Sequence, residues 1–105
     1  MKLYIINNTR KLKKIKHFLE SNYEISIEDK EDSNFKMTKN DFVLISDESK
    51  SLDGLEKLKN IIVLTQNKDY RYIWNIANNF KIIDIIDNDL TEDYISNRIV
   101  KNINN

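Results

Sequence analysis

The sequence predicts an α/β fold in which a parallel five-stranded sheet lies between two layers of helices. Short apolar runs alternate along the 105 residues with segments whose apolar residues recur at helical spacing. Strands that alternate with helices form parallel sheets covered on both faces. The chain has the length of one ordinary domain, so we expect residues 1–105 to form a single domain.

The composition of the apolar runs predicts the order of the strands. Leu3–Ile6, Phe42–Ile45 and Ile61–Leu64 are continuously apolar, which is typical of interior strands buried on both faces. Tyr23–Ile27 alternates apolar with polar residues, and Ile82–Ile86 is interrupted by an aspartate, so both are predicted as edge strands. These patterns predict the order 2-1-3-4-5, the flavodoxin-like arrangement of a (βα)5 three-layer sandwich.

Three connections have clear helical periodicity. Helices are predicted over Thr9–Asn22, Tyr70–Phe80 and Asp89–Asn104, each with an apolar stripe that can face the sheet. Within the second of these, Ile73, Ile76, Ala77 and Phe80 are expected to cover the sheet. Asp89 and the glutamate three residues later resemble a capping box that opens the last helix.

The other two connections are weaker. Ser51 can cap a short helix that turns Leu52, Leu55 and Leu58 inward. The segment from Glu28 to Asp41 is hardly longer than the dozen or so residues that a parallel crossover needs. We therefore expect the second helix to be short or missing.

Composition excludes several classes of function. The 17 basic and 17 acidic side chains give no net charge, so no overall field attracts nucleic acid or an anionic membrane. Cysteine is absent and His17 is the single histidine, which removes thiol chemistry and histidine metal clusters. No apolar stretch approaches the roughly 20 residues that span a bilayer. We expect a cytoplasmic protein that binds no metal, nucleic acid or membrane.

The stretch "DFVLISDESKSLDGLEKL" resembles one part of response-regulator receiver domains, the third strand and the loop after it. In that family an apolar strand leads to the phosphoacceptor aspartate, and Asp-Gly-Leu then opens the next helix. The resemblance covers this stretch by motif and nearly the whole chain by topology. When Asp53, Gly54 and Leu55 match that tripeptide, the phosphoacceptor position falls on Ser46, and Asp47 stands one residue later.

The resemblance implies a pocket that has lost its chemistry. The acidic pair that holds Mg²⁺ in the family falls on Asn7 and Asn8, the lysine falls on Ile86 or Asp87, and the hydroxyl survives as Thr65. Neutral amides are poor ligands for Mg²⁺, and phosphoryl transfer needs its charge neutralised by metal and lysine. We therefore predict no catalytic residue and no cofactor. The degenerate pocket comprises Asn7, Asn8, Ser46, Asp47 and Thr65.

Aromatic residues predict where the domain acts. Tyr70, Tyr72 and Trp74 cannot all face the sheet, because residues two apart on a helix diverge by about 200°. The resemblance implies an interaction surface formed by the fourth helix of the family, here Tyr70–Phe80, together with the fifth strand and the last helix. The interface candidates are therefore Tyr70, Tyr72, Trp74 and Tyr94. The hypothesis is a phosphorylation-independent pseudo-receiver, a regulatory module for protein–protein interaction or dimerisation. Its partner is a second copy or a neighbouring domain, and the resemblance implies a place at the N-terminus of a larger regulator or a MinD-like ATPase.

Two alternatives stay open. An active receiver could use Asp47 if a bulge shifted the strand end, because a shift of one residue otherwise turns the side chain to the other face. A small flavodoxin-like protein could bind a cofactor, but the first strand–helix turn, "NNTRK", has no glycine that would let the backbone approach a phosphate.

Overall fold

The computed structural model describes residues 1–6, 9–48, 52 and 54–104. Its five strands form one all-parallel sheet in the order β2-β1-β3-β4-β5, which confirms the predicted flavodoxin-like architecture. The strands are β1 Leu3–Ile6, β2 Ile27–Lys30, β3 Phe42–Ser46, β4 Ile61–Thr65 and β5 Ile82–Asp87. The α-helices are α1 Arg10–Asn22, α2 Tyr70–Asn79 and α3 Glu92–Asn104, and a 3-10 helix covers Leu55–Lys57.

Helices α1 and α3 cover one face of the sheet. Each is 13 residues long, which allows three turns of its apolar stripe to contact the strands. The strands contribute alternate residues to this face, as the two-residue period of a strand requires. The buried residues of this core are Leu3, Ile5, Leu12, Ile15, Leu19, Leu44, Ile62, Leu64, Ile86, Ile95 and Ile99.

The opposite face is covered mostly by shorter or irregular segments. Residues 31–41 contain no helix, as predicted, and Phe35 and Met37 pack against the core there. The predicted helix before β4 is the three-residue 3-10 helix, with Leu52, Leu55 and Leu58 buried around it. Ser51, its predicted cap, lies outside the described residues. In α2, Ile76 is the buried residue.

Strand β2 begins later than predicted. The alternating pattern predicts Tyr23–Ile27, whereas the hydrogen-bonded strand runs over Ile27–Lys30. Leu3, the first residue of β1, pairs with Ile27, and its backbone N–H donates to the carbonyl of Ser26 at 2.9 Å. Residues 23–25 therefore lie ahead of the start of β1. Tyr23 nevertheless packs against the core, which explains why its pattern is that of a strand.

Two details of the helices also differ from the predictions. Thr91, not Asp89, caps α3, because its hydroxyl accepts the N–H of Tyr94 at 3.3 Å. Asp89 instead accepts a hydrogen bond from Lys68. Ala77, predicted to cover the sheet, is exposed, because it lies one turn from the exposed Trp74 on the outer side of α2.

A bulge shapes the edge strand β5. Ile61 pairs with Ile82 and Ile62 pairs with Asp84, so Ile83 is an extra residue in the ladder. The bulge places Asp84 on the face that α3 covers. There Arg98 donates two hydrogen bonds to the Asp84 carboxylate, the one from Nε at 3.0 Å. The predicted interruption of this strand is thus an anchor for α3.

Candidate functional site

The carboxyl ends of β3 and β4 bring together three residues of the predicted pocket. Ser46 ends β3, Asp47 follows it, and Thr65 ends β4. Ser46 is buried, and its hydroxyl accepts the backbone N–H of Glu48 at 3.1 Å. This bond closes the loop after β3, a local role that serine often has at strand ends.

The carboxylate of Asp47 joins three segments of the chain. The Thr65 hydroxyl donates to it at 2.5 Å, the Tyr72 hydroxyl at 2.8 Å, and the backbone N–H of Gln66 at 3.0 Å. The first two bonds reach one carboxylate oxygen and the third reaches the other. Asp47 therefore ties the end of β3 to β4 and to α2.

Tyr72 is the side chain through which α2 takes part in this site. Burial, the hydrogen bond to the Asp47 carboxylate and the charge of that carboxylate together raise the pKa of its phenol to about 12, with burial the largest cause. Tyr72 is four residues before the buried Ile76, so both lie on the same side of the helix. That spacing is the sequence signal for an inward Tyr72, but no sequence feature identifies Asp47 as its partner.

The position where the resemblance places a lysine holds no cation. Ile86 is fully buried, and Asp87 presents another carboxylate. A cation that the structure describes near this position is Lys68, whose ammonium lies 2.8 Å from Asp89 and 3.8 Å from Asp87. These acids raise the pKa of Lys68, and Lys68 lowers the pKa of Asp89. The lysine is therefore paired with the acids of the loop after β5.

Two residues of the predicted pocket, Asn7 and Asn8, lie outside the described residues, as does Asp53 of the motif, so the roles predicted for the two asparagines stay predictions. Within the part of the chain that the structure describes, no group of three or more histidine, cysteine, aspartate or glutamate residues could hold a metal ion. Among the helices of that part, none is long and apolar enough to cross a membrane.

Large apolar side chains are exposed on α2, β5 and α3. They are Tyr70 and Trp74 on α2, Ile83 in the bulge of β5, and Tyr94 on α3, with exposed fractions of 78%, 63%, 44% and 52%. We call these four residues the aromatic face. Tyr70 and Trp74 meet the prediction that at least one aromatic residue of α2 is exposed.

A groove runs beside the aromatic face. It has a volume of about 280 Å³ and lies between α2 and β5, with Ile73, Ile85 and Asp87 in its walls. Arg98 of α3 also lines it, and its guanidinium donates to the backbone carbonyl of Ile85 at 3.4 Å. The groove therefore joins α2, β5 and α3 into one continuous surface.

The architecture defines the chain as a flavodoxin-like α/β domain with a carboxylate-centred tie at the carboxyl edge of its sheet. No protein-family model matches the chain, and a search of curated proteins finds no match. The resemblance to receiver domains thus depends on the motif around Ser46 and Asp47 and on the topology.

Proposed function

We propose that this chain is a phosphorylation-independent, receiver-like domain that acts in the cytoplasm by binding protein rather than by catalysis. The observation that carries the proposal is the aromatic face, which collects exposed apolar side chains from α2, β5 and α3. Rings that stay exposed on a domain with 32% charged residues favour burial against another protein.

The bonding of Asp47 supports the absence of phosphoryl chemistry. A phosphoacceptor carboxylate needs a free oxygen for attack and a cation that neutralises the phosphoryl group. Both oxygens of Asp47 accept hydrogen bonds, and Lys68 is paired with Asp89. The arrangement suits a carboxylate that holds α2 in place.

Intact-mass measurement tests this part of the proposal. After incubation with Mg²⁺ and acetyl phosphate, we expect the mass of the wild type to stay unchanged. The Asp47→Asn variant is the matched control. A stoichiometric phosphoryl adduct that is lost in this variant would establish an active receiver that uses Asp47.

The first partner to test is a second copy of the chain. Strand β5 is an edge strand with a bulge, and Ile83, the extra residue of that bulge, is exposed. A two-fold axis beside this edge would bury the same face on both copies, as closed dimers require. A neighbouring domain in a longer chain would use the same surface.

Sedimentation equilibrium distinguishes these partners. We expect the wild type to be a dimer. Trp74→Ala or Tyr94→Ala should raise the dimer dissociation constant about tenfold, since central aromatic residues of interfaces typically contribute more than about 1 kcal/mol. His17→Ala, at an exposed position of α1, is the control and should not change association. A monomeric wild type removes the dimer. Trp74 is the single tryptophan of this chain, so its fluorescence reports on this surface. If a soluble quencher reached Trp74 in a longer protein as easily as in the isolated domain, docking of a neighbouring domain on this surface would be excluded.

A further inference from the structure

A second surface lies at the amino end of the sheet, away from the pocket around Asp47. Four lysines, Lys36, Lys57, Lys59 and Lys81, line a groove of about 430 Å³ there. They come from the β2–β3 connection, from the residues around the end of the 3-10 helix and from the residue before β5. We call this surface the lysine groove. Its apolar wall is formed by Phe35, Met37 and Leu58.

The lysines of this groove lack the acidic partners that several other lysines of the domain have. Elsewhere, Lys2 lies 3.1 Å and Lys30 lies 2.6 Å from Glu28, and Lys16 lies 2.8 Å from Asp29. Within the described ranges, none of the four groove lysines makes an ion pair or a side-chain hydrogen bond. Four lysines therefore line one groove without an ion-pair partner among the described residues.

Local structure accounts for only one of these charges. Lys81 follows Phe80, the C-cap of α2, where a cation stabilises the negative end of the helix. The segment that carries Lys36 contains no helix, and the 3-10 helix before Lys59 is too short to have a comparable dipole. Asp41, an acid at the same end of the sheet, accepts hydrogen bonds from the backbone N–H groups of Lys2 and Thr38.

We propose that the lysine groove binds an acidic protein segment in which carboxylates flank an apolar side chain. Lysine ammonium groups act as point charges that accept carboxylates at varied angles, unlike the fixed fork of arginine. Met37, which is only partly buried in the wall of the groove, offers a place for the apolar side chain between them. The lysines would thus bind the flanking carboxylates of the segment, and the apolar wall would bind the side chain between them.

The same geometry disfavours nucleic acid as the ligand. Proteins that bind single strands stack bases on accessible aromatic rings. The ring of Phe35 already packs against Tyr4 with 4.6 Å between the ring centroids, and the Lys30 ammonium lies 5.5 Å from the centroid of the Phe35 ring. The chain also has no net positive charge that would attract a phosphate backbone over a distance.

Fluorescence anisotropy with two labelled peptides tests the proposal. One probe alternates glutamate with leucine, and the other has glutamine in place of each glutamate. We expect the acidic probe to bind the wild type and the neutral probe not to bind. Lys57→Gln/Lys59→Gln should weaken binding roughly threefold to tenfold, as expected for the loss of two exposed ion pairs.

Matched variants keep the result specific. Lys13→Gln/Lys101→Gln removes two charges from exposed positions on α1 and α3 and should leave binding unchanged. Circular dichroism confirms that each variant is folded, and Lys36→Gln/Lys81→Gln replaces a variant that is not. No binding of the acidic probe, or an equal loss in the control, overturns the proposal. An oligothymidylate that binds more tightly and loses affinity in the same groove variants assigns the groove to nucleic acid instead. Trp74→Ala should leave peptide binding intact, which separates this surface from the aromatic face.

Discussion

The two faces of the sheet are covered by helices of different length and burial. On one face, α1 and α3 together bury five apolar residues and one serine against the strands. On the other face, the α-helix among the described residues is the ten-residue α2, in which Ile76 is the buried residue. Both faces bury an apolar core, but the second leaves much of its helix exposed. We therefore expect α1 and α3 to contribute more to stability than α2.

The polar ties of the two faces differ in the same direction. Asp84 accepts hydrogen bonds from Arg98 and from Asn102 of α3, the latter at 2.8 Å. Among the described residues, one such contact ties α2 to the sheet, from the Tyr72 hydroxyl to Asp47. Loss of a single side chain should therefore loosen α2 more completely than α3.

The largest expected effect is a cavity in the better-packed face. Leu19→Ala should lower the free energy of unfolding by about 3 to 4 kcal/mol, because it deletes a fully buried side chain between helix and sheet. Ile76→Ala, on the other face, should cost about 2 kcal/mol, since neighbouring exposed residues can relax into the space. Urea denaturation followed by circular dichroism measures both. Equal costs would show that the two faces are equally well packed.

The next effect concerns the anchor of α3. Arg98→Ala should cost about 2 kcal/mol, because it leaves the mostly buried Asp84 carboxylate without its charged donor. Arg98→Lys should recover part of this loss, since one ammonium cannot reproduce two parallel hydrogen bonds. Lys101→Ala, at an exposed position of the same helix, is the control for charge and helix propensity. An Arg98→Ala variant as stable as this control would contradict an anchoring role.

A smaller effect is expected at the tie of α2. Tyr72→Phe should cost about 1 kcal/mol near neutral pH, because it removes one hydrogen bond to a carboxylate. The folded pKa of Tyr72 is raised to about 12 from its ordinary value of 10.0. Its contribution is therefore fully present below pH 10 and is lost as the pH rises towards 12.

Paired urea denaturation of the wild type and Tyr72→Phe across that alkaline range measures this contribution. The difference in unfolding free energy should shrink as the pH rises, while effects of lysine deprotonation cancel between the two proteins. A difference that stays constant, or grows, would mean that Tyr72 does not donate to Asp47 in solution.

The strand order could be predicted because hydrophobic patterning reports burial. The continuous runs at Leu3–Ile6, Phe42–Ile45 and Ile61–Leu64 are interior strands, and the two interrupted runs are edges. The same pattern could not give the start of β2, because Tyr23 is partly buried without pairing to a strand. Burial is a property of the residue, whereas register depends on where the partner strand begins.

The candidate site was less predictable than the fold. The motif and the parallel topology correctly predicted that Ser46, Asp47 and Thr65 lie at one edge of the sheet. It did not predict that Tyr72 reaches Asp47, because this contact joins residues 25 apart and depends on the rotation of α2. The Asp84 anchor was missed for the same reason, since an aspartate in an edge strand has no sequence feature that identifies its partner.

The smallest expected effect is on the aromatic face, and it sharpens the comparison most. Trp74→Ala should change the free energy of unfolding by less than about 0.5 kcal/mol, because surface substitutions away from the core have little effect on folding. The indole is 63% exposed, so its removal opens no cavity. Urea denaturation followed by circular dichroism measures this, since the variant has lost the only tryptophan. A cost above about 1 kcal/mol would place the ring in the core of the domain. A near-zero cost together with weakened association would mean that the most exposed helix of the fold retains a large ring for binding rather than for stability.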